Sequence, residues 1–238
     1  MTTYWFAVAA ALGNMAGAVA VVRSLRRELR VIDACLAFGA GFMLAVAVLG
    51  VLPEVLRDDQ GGALYVLAGY LAVHLAQHVF TTHFHFGEET HRVSRSAGIS
   101  ALLGLTLHTF FDGVAIASGF LVSSELGVLL FLAVLLHKLP EGVTIASVMV
   151  AGGQTRAQAM GAAAVLGLAT ILGVALTDVV APLARHGLAL SAGVTIYVAA
   201  SNLVPEFQAK RGWLSALAFF GGAMGFFLTE RLLDAWMR

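Results

Sequence analysis

Charge is what this sequence has least of. Only 12% of its 238 residues are charged, about half the roughly 25% usual in soluble domains. Apolar residues make up 59% and the mean hydropathy is +0.88. A soluble domain of this length must cover itself with charge, so an ordinary cytosolic enzyme, a nucleic-acid binder and a disordered chain are excluded. Net charge is lacking too: 14 basic residues balance 14 acidic ones, and no global field steers a charged partner. The single cysteine, Cys35, leaves no disulfide framework and no cysteine-based zinc site. What remains is an all-α polytopic membrane protein.

Long apolar runs are plentiful. A spanning helix needs about 20 apolar residues, and eight segments qualify, approximately 4–22, 32–53, 62–80, 97–121, 126–150, 157–180, 188–204 and 213–237. A membrane β-barrel would instead show alternating strands of about ten residues. The chain therefore reads as one transmembrane domain, 1–238, with 81–96 as a His-containing loop.

The connections carry most of the charge. Arg23, Arg26, Arg27, Arg30, Arg92, Arg95, Arg156, Lys210 and Arg211 fall in odd-numbered loops, nine on one side, against Arg57, Arg185, Arg231 and Arg238 on the other. The positive-inside rule makes the odd loops cytoplasmic and puts both termini outside. Ala18-Val19-Ala20 resembles a signal-peptide cleavage site. No basic residue precedes that apolar run and four arginines follow it, the pattern of a retained first helix.

The chain repeats itself weakly. His108-Thr-Phe-Phe-Asp112-Gly113-Val-Ala-Ile-Ala-Ser118 on span four can be laid over His137-Lys-Leu-Pro-Glu141-Gly142-Val-Thr-Ile-Ala-Ser147 on span five. A fainter pair is Leu52-Pro53-Glu54, ending span two, and Val204-Pro205-Glu206, ending span seven. Each pair sits on helices of opposite direction, as an inverted-topology repeat requires.

His108 and Asp112 are four residues apart and share a helix face, as do His137 and Glu141. The loop between these spans, about 122–125, is short, so the helices are antiparallel neighbours. The four side chains lie roughly 11 to 18 residues from the loop centre, which at about 1.5 Å per residue keeps them within about 10 Å of depth. Two imidazoles and two carboxylates thus converge near the bilayer midplane. Left bare, Asp112, Lys138 and Glu141 would cost on the order of 8–10 kcal/mol there. Mutual pairing, water or a bound cation must offset that. The donor set suits a divalent first-row metal such as zinc or ferrous iron. Pro140 frees the backbone carbonyl near Leu136, and Gly113 and Gly142, next to the two acids, permit close helix approach. The competing reading is a buried polar network with a Lys138–Asp112 ion pair that pins two helices together.

These motifs, His-x-x-x-Asp-Gly on span four and His-x-x-Pro-Glu-Gly on span five, resemble those of the ZIP (Zrt/Irt-like) divalent-metal transporters. Span two, from Gly39 through Met43 to Pro53-Glu54, and span seven, from Tyr197 to Pro205-Glu206, resemble that family as well. The resemblance implies uptake of zinc or a related cation into the cytoplasm. It also implies a 3+2+3 arrangement of eight helices with inverted repeats, a homodimer, and an elevator-type alternation. His108, Asp112, His137 and Glu141 match the family's primary metal site. Met43 matches a position that can add a ligand, against the plainer reading of lipid- or core-facing packing.

The sequence departs from the family's two-metal pattern in three places. Thr109 stands where asparagine is common, Lys138 where some members have a second-site asparagine or aspartate, and Thr170 where others have glutamate. A protonated amine beside His137 repels a second divalent cation and can take its place as a tethered charge. One metal per site is the expectation.

Other polar residues are open to functional and plain readings alike. His83, His85 and His91, with Glu88 and Glu89, form a loop that can hold metal weakly or simply be solvated. His74 and His78 share a face of span three, as an exit-path pair or as interfacial residues. Glu54 and Glu206 could draw cations to the two mouths or be ordinary span-end charges. Asp178, Ser201 and Asn202 could line a path. Trp5, Trp213 and Trp236 read as interfacial anchors.

Function therefore falls to a carrier of a divalent cation (Zn²⁺, or Fe²⁺, Mn²⁺, Co²⁺ or Cd²⁺ by ligand chemistry) in the plasma or inner membrane, with lipid and a second copy as its surroundings and no nucleic-acid partner. The alternative is an intramembrane metal-dependent hydrolase, which needs an open zinc position and a general base. His-Glu-x-x-His is absent, leaving Asp112 or Glu141 for that role. A channel of the same ligands would conduct slowly, because four ligands bind tightly.

Overall fold

The computed structural model describes residues 2–23, 29–58, 61–80, 95–205 and 213–237. Among them every element is helical. The order is α1 (Thr2–Val22), α2 (Leu29–Ala45), a π-helical turn Val46–Val51, α3 (Leu52–Asp58), α4 (Gly62–Phe80), α5 (Arg95–Val122), α6 (Ser124–Ala151), α7 (Arg156–Val179), α8 (Ala181–Tyr197), a second π-helical turn Val198–Leu203, and α9 (Trp213–Met237). Among the described residues seven rods are long and apolar enough to cross a membrane; the apolar stretch of α4, Gly62–Gln77, is shorter.

The two π turns have a shared cause in the sequence. Each ends two residues before a proline, Pro53 or Pro205. A proline ring crowds the carbonyl four residues back, which is Leu49 in one case and Ser201 in the other. A turn widened by one residue removes that clash without ending the helix. Pro140 lies inside α6, which runs through it unbroken.

Helix ends follow local chemistry. The expected loop between spans four and five reduces to Ser123, whose hydroxyl accepts the Leu126 amide and caps α6. Thr155 and Gln158 close a capping box on α7. Gly153, at φ 81°, makes the turn between α6 and α7. Span seven begins earlier than the sequence suggested, at Ala181. Its first turn holds a proline at a position where no amide partner is needed, and Arg185 and His186 follow on the helix.

Packing places α5 and α6 side by side at the centre. Most of the other strong contacts fall into matched pairs, α1 on α6 and α7 on α5, α2 on α9 and α8 on α4, and α1 also packs along α7. Small residues bring the inner pairs together. A Cβ on Gly142 would run into the Asn14 carbonyl, and one on Gly113 into the Thr170 carbonyl. The outer pairs close similarly, with Gly222 against Phe38 and Gly193 against Val66. Trp5, Trp213 and Trp236 are exposed at rod ends.

Candidate metal centre

Four side chains from α5 and α6 meet in the buried centre of the bundle. His108 Nε2 stands 3.4 Å from Asp112 Oδ2 and 3.7 Å from Glu141 Oε2. His137 Nε2 stands 3.3 Å from Asp112 Oδ2 and 3.9 Å from Glu141 Oε2. One ligand atom from each residue lies within 4.8 Å of all the others. A tetrahedral zinc with bonds of about 2.1 Å has ligand–ligand edges of about 3.4 Å. The cage thus has the size of one divalent ion, slightly expanded.

Its hydrogen bonds also leave room for a cation. His137 Nδ1 is 2.8 Å from the Ala133 carbonyl oxygen, a bond in which Nδ1–H must donate. In the neutral ring Nε2 then carries a lone pair and faces the Asp112 carboxylate oxygen. Two lone-pair atoms so close are satisfied by a cation between them. The backbone bond fixes the ring as the outer partners of metal-bound histidines do. His108 Nδ1 is buried with no hydrogen-bond partner among the described residues, and its Nε2 also faces the cage.

Lys138 completes the cluster. Its Nζ is fully buried and lies 2.7 Å from Asp112 Oδ2 and 2.9 Å from Glu141 Oε2, with Glu141 Oε1 at 3.2 Å. The ammonium therefore bridges the same two carboxylate oxygens that face the imidazoles. Glu141 Oε1 is further held by Asn14 Nδ2 at 3.1 Å and Thr109 Oγ1 at 3.0 Å. These donors turn Oε2 toward the histidines. The expected Lys138–Asp112 pair is present, on the same carboxylate oxygens that face the histidines.

Asn14 is the member that the motifs do not announce. Its only signal is a lone amide in the apolar run of α1. Thr170, expected beside the site, is buried with its hydroxyl on the Leu166 carbonyl of its own helix. Met43 is buried in the central apolar cluster with Val46, Leu129, Leu130 and Ala133, which removes the lipid-facing reading.

Among the described residues, a cavity reaches the centre from one end. This small cavity reaches His108, His137 and Glu141, and Leu36, Leu105, Thr144 and Asn202 line it on the side where α6 runs into α7. Toward the opposite end the apolar layer containing Met43 and Val46 intervenes. Beyond it lie two open cavities that share Glu54. Glu54 forms an ion pair with Arg57.

The remaining sequence candidates are scattered. Asn202 lines the inner cavity, whereas Ser201 is exposed and bonded to the Tyr70 hydroxyl at 3.3 Å. Asp178 accepts a 2.9 Å bond from Tyr4. His74 is exposed, edge-on to Tyr197. His83, His85, His91, Glu88, Glu89 and Glu206 lie outside the described residues, as does the side chain of His78.

Comparison with known proteins gives one family. Residues 87–233 match the family model described as ZIP zinc transporter, a stretch that contains all four cage residues and Lys138. No curated protein matches the chain.

Proposed function

The chain belongs to the ZIP zinc transporter family, and from that premise we propose that it carries Zn²⁺ into the cytoplasm through His108, Asp112, His137 and Glu141. The family is one of divalent-metal transporters rather than enzymes, so the hydrolase reading is set aside. The observation that carries the reading is the cage itself: four ligand atoms within 4.8 Å, buried in the middle of two central helices. Buried ionisable groups at such depth mark an ion pathway. Fe²⁺, Mn²⁺, Co²⁺ and Cd²⁺ suit the same nitrogen and oxygen donors to lesser or similar degree.

The proposed architecture is eight spans in a 3+2+3 inverted repeat within one domain, 1–238. The matched pairing of α1 with α6 and α7 with α5, and of α2 with α9 and α8 with α4, supports it. So do the two π turns before Pro53 and Pro205. The excess of arginine and lysine at the α6–α7 end supports a cytoplasmic position for that end, with both termini outside. On this placement the cavity at Thr144 and Asn202 is the cytoplasmic exit and Glu54 lies at the outer mouth. An elevator-type movement of one bundle against the other then alternates access, in the plasma or inner membrane, within a homodimer.

Further contacts belong to the proposal. Met43 adds a soft fifth ligand in one state of the cycle. Lys138, Thr109 and Thr170 take the place of a second metal, so one ion is carried at a time. His83, His85 and His91, with Glu206, Ser201 and Asn202, handle the ion after release. The test is flux of Zn²⁺ and Fe²⁺ into proteoliposomes. Saturable uptake with zinc preferred supports the reading; a sealed, folded preparation that moves neither ion overturns it.

A further inference from the structure

Lys138 does more than exclude a second metal. A carrier that performs net uptake must cross the membrane twice, once loaded and once empty. The empty crossing exposes a difficulty for this site. Asp112 and Glu141 are both buried, and when the ion has left, their two charges must still pass the apolar layer that seals the site. We propose that the Lys138 ammonium is the built-in counter-ion for that empty return, holding the vacated carboxylates together as one low-charge unit. This inference rests on the carrier reading above.

The geometry supports the role. Lys138 Nζ contacts both carboxylates at 2.7 and 2.9 Å, on the very oxygens that turn to the histidines. It is fully buried and comes from α6, the helix that also supplies Glu141, so it travels with the site. Each carboxylate oxygen has two lone-pair directions, and the lysine can keep one while an ion takes the other.

Charge arithmetic shows what the lysine changes. With both imidazoles counted neutral, as metal binding requires of the loaded site, the vacant site carries −1 and the site with a divalent ion +1. Without Lys138 the same states carry −2 and 0. The cost of burying a charge grows with its square in the Born picture. The relative costs of vacant and loaded crossing are then 4 to 0 without the lysine and 1 to 1 with it. Lys138 thus trades a small penalty on the loaded crossing for relief of a large one on the empty crossing. Loss of a residue that served only to pin α5 to α6 would slow both crossings alike.

Two flux modes separate these roles. Net uptake into metal-free proteoliposomes needs the empty return; exchange of external ⁶⁵Zn against internal unlabelled Zn²⁺ does not. The test compares wild type, Lys138→Met and Lys138→Gln. The charge account expects the ratio of net uptake to exchange to fall at least tenfold in both variants. Lys138→Gln loses the charge but can still hydrogen-bond, so it carries the test should Lys138→Met not fold. A ratio within twofold of wild type in a folded variant, including a parallel fall of both modes, overturns the proposal. A wild type that shows neither mode overturns the carrier reading itself, and with it this inference; that outcome is read without any variant.

Discussion

Lys138 Nζ lies 2.7 Å from Asp112 Oδ2, and that same oxygen is the nearest carboxylate atom to both imidazoles. An ammonium and a divalent ion must therefore share one oxygen. On the proposed reading a second divalent ion finds no place beside them, since the tethered charge occupies the edge between the carboxylates. Purified protein should bind one Zn²⁺ per chain. Lys138→Asp should bind two, because it exchanges the repelling charge for a ligand. Metal content after gel filtration, set against protein concentration, distinguishes the two values. Two ions per wild-type chain with comparable affinity would contradict the single-ion account.

Asn14 touches the centre through Glu141, and on the proposed reading it acts on the metal through that carboxylate. Its amide and the Thr109 hydroxyl hold Oε1 and so aim Oε2 at the cage. Outer partners of metal ligands typically contribute about 10–100-fold in affinity. Asn14→Ala should weaken zinc binding by at least about tenfold, with one ion still bound at saturation. Competition against a zinc chelator of known strength measures this. An unchanged affinity would mean that Glu141 is oriented by other groups.

The charges of the centre stabilise one another as a unit. Removing one partner of a buried pair costs about 3–5 kcal/mol, whereas replacing the pair together is often neutral. Asp112→Asn and Lys138→Met should each lower thermal stability in detergent, and the double variant should lose much less than the two losses added together. Additive losses would show that the ammonium and the carboxylate act independently.

Thr144 sits three residues beyond Glu141 on α6 and lines a cavity that reaches the ligands. With Cys35→Ser as background, Thr144→Cys should react with a membrane-impermeant thiol reagent from the cytoplasmic side. Saturating Zn²⁺ should slow the reaction by occupying the cavity's inner wall. Labelling from the outside alone would invert the proposed orientation.

The four cage residues were legible because their spacing is helical and their chemistry is out of place. His108 and Asp112, or His137 and Glu141, fall on one face at four-residue separation, and a short turn fixes both faces at one depth. The length of each apolar run gave most rods in the same way. Span seven was the exception. Pro182, Arg185 and His186 read as loop, although a proline is well placed in a first turn and the two polar side chains sit near a helix end. Asn14 was hidden for a different reason. Its partner, Glu141, is 127 residues away, and no local pattern links them. Both π turns were also silent, although the prolines that cause them were visible. For Lys138 the sequence identified the residue and its charge; that its ammonium spans both carboxylates depended on the packing of α5 against α6.

The central claim is that the ion bound at the α5–α6 cage is the ion that moves. Bound zinc and zinc flux should be measured on the same reconstituted samples of wild type, His108→Ala and Glu141→Ala. Wild type should bind one ion and transport it saturably, and both variants should lose binding and flux together. Flux that persists in folded variants without the bound ion, or zinc bound in wild type and never moved, would contradict the account.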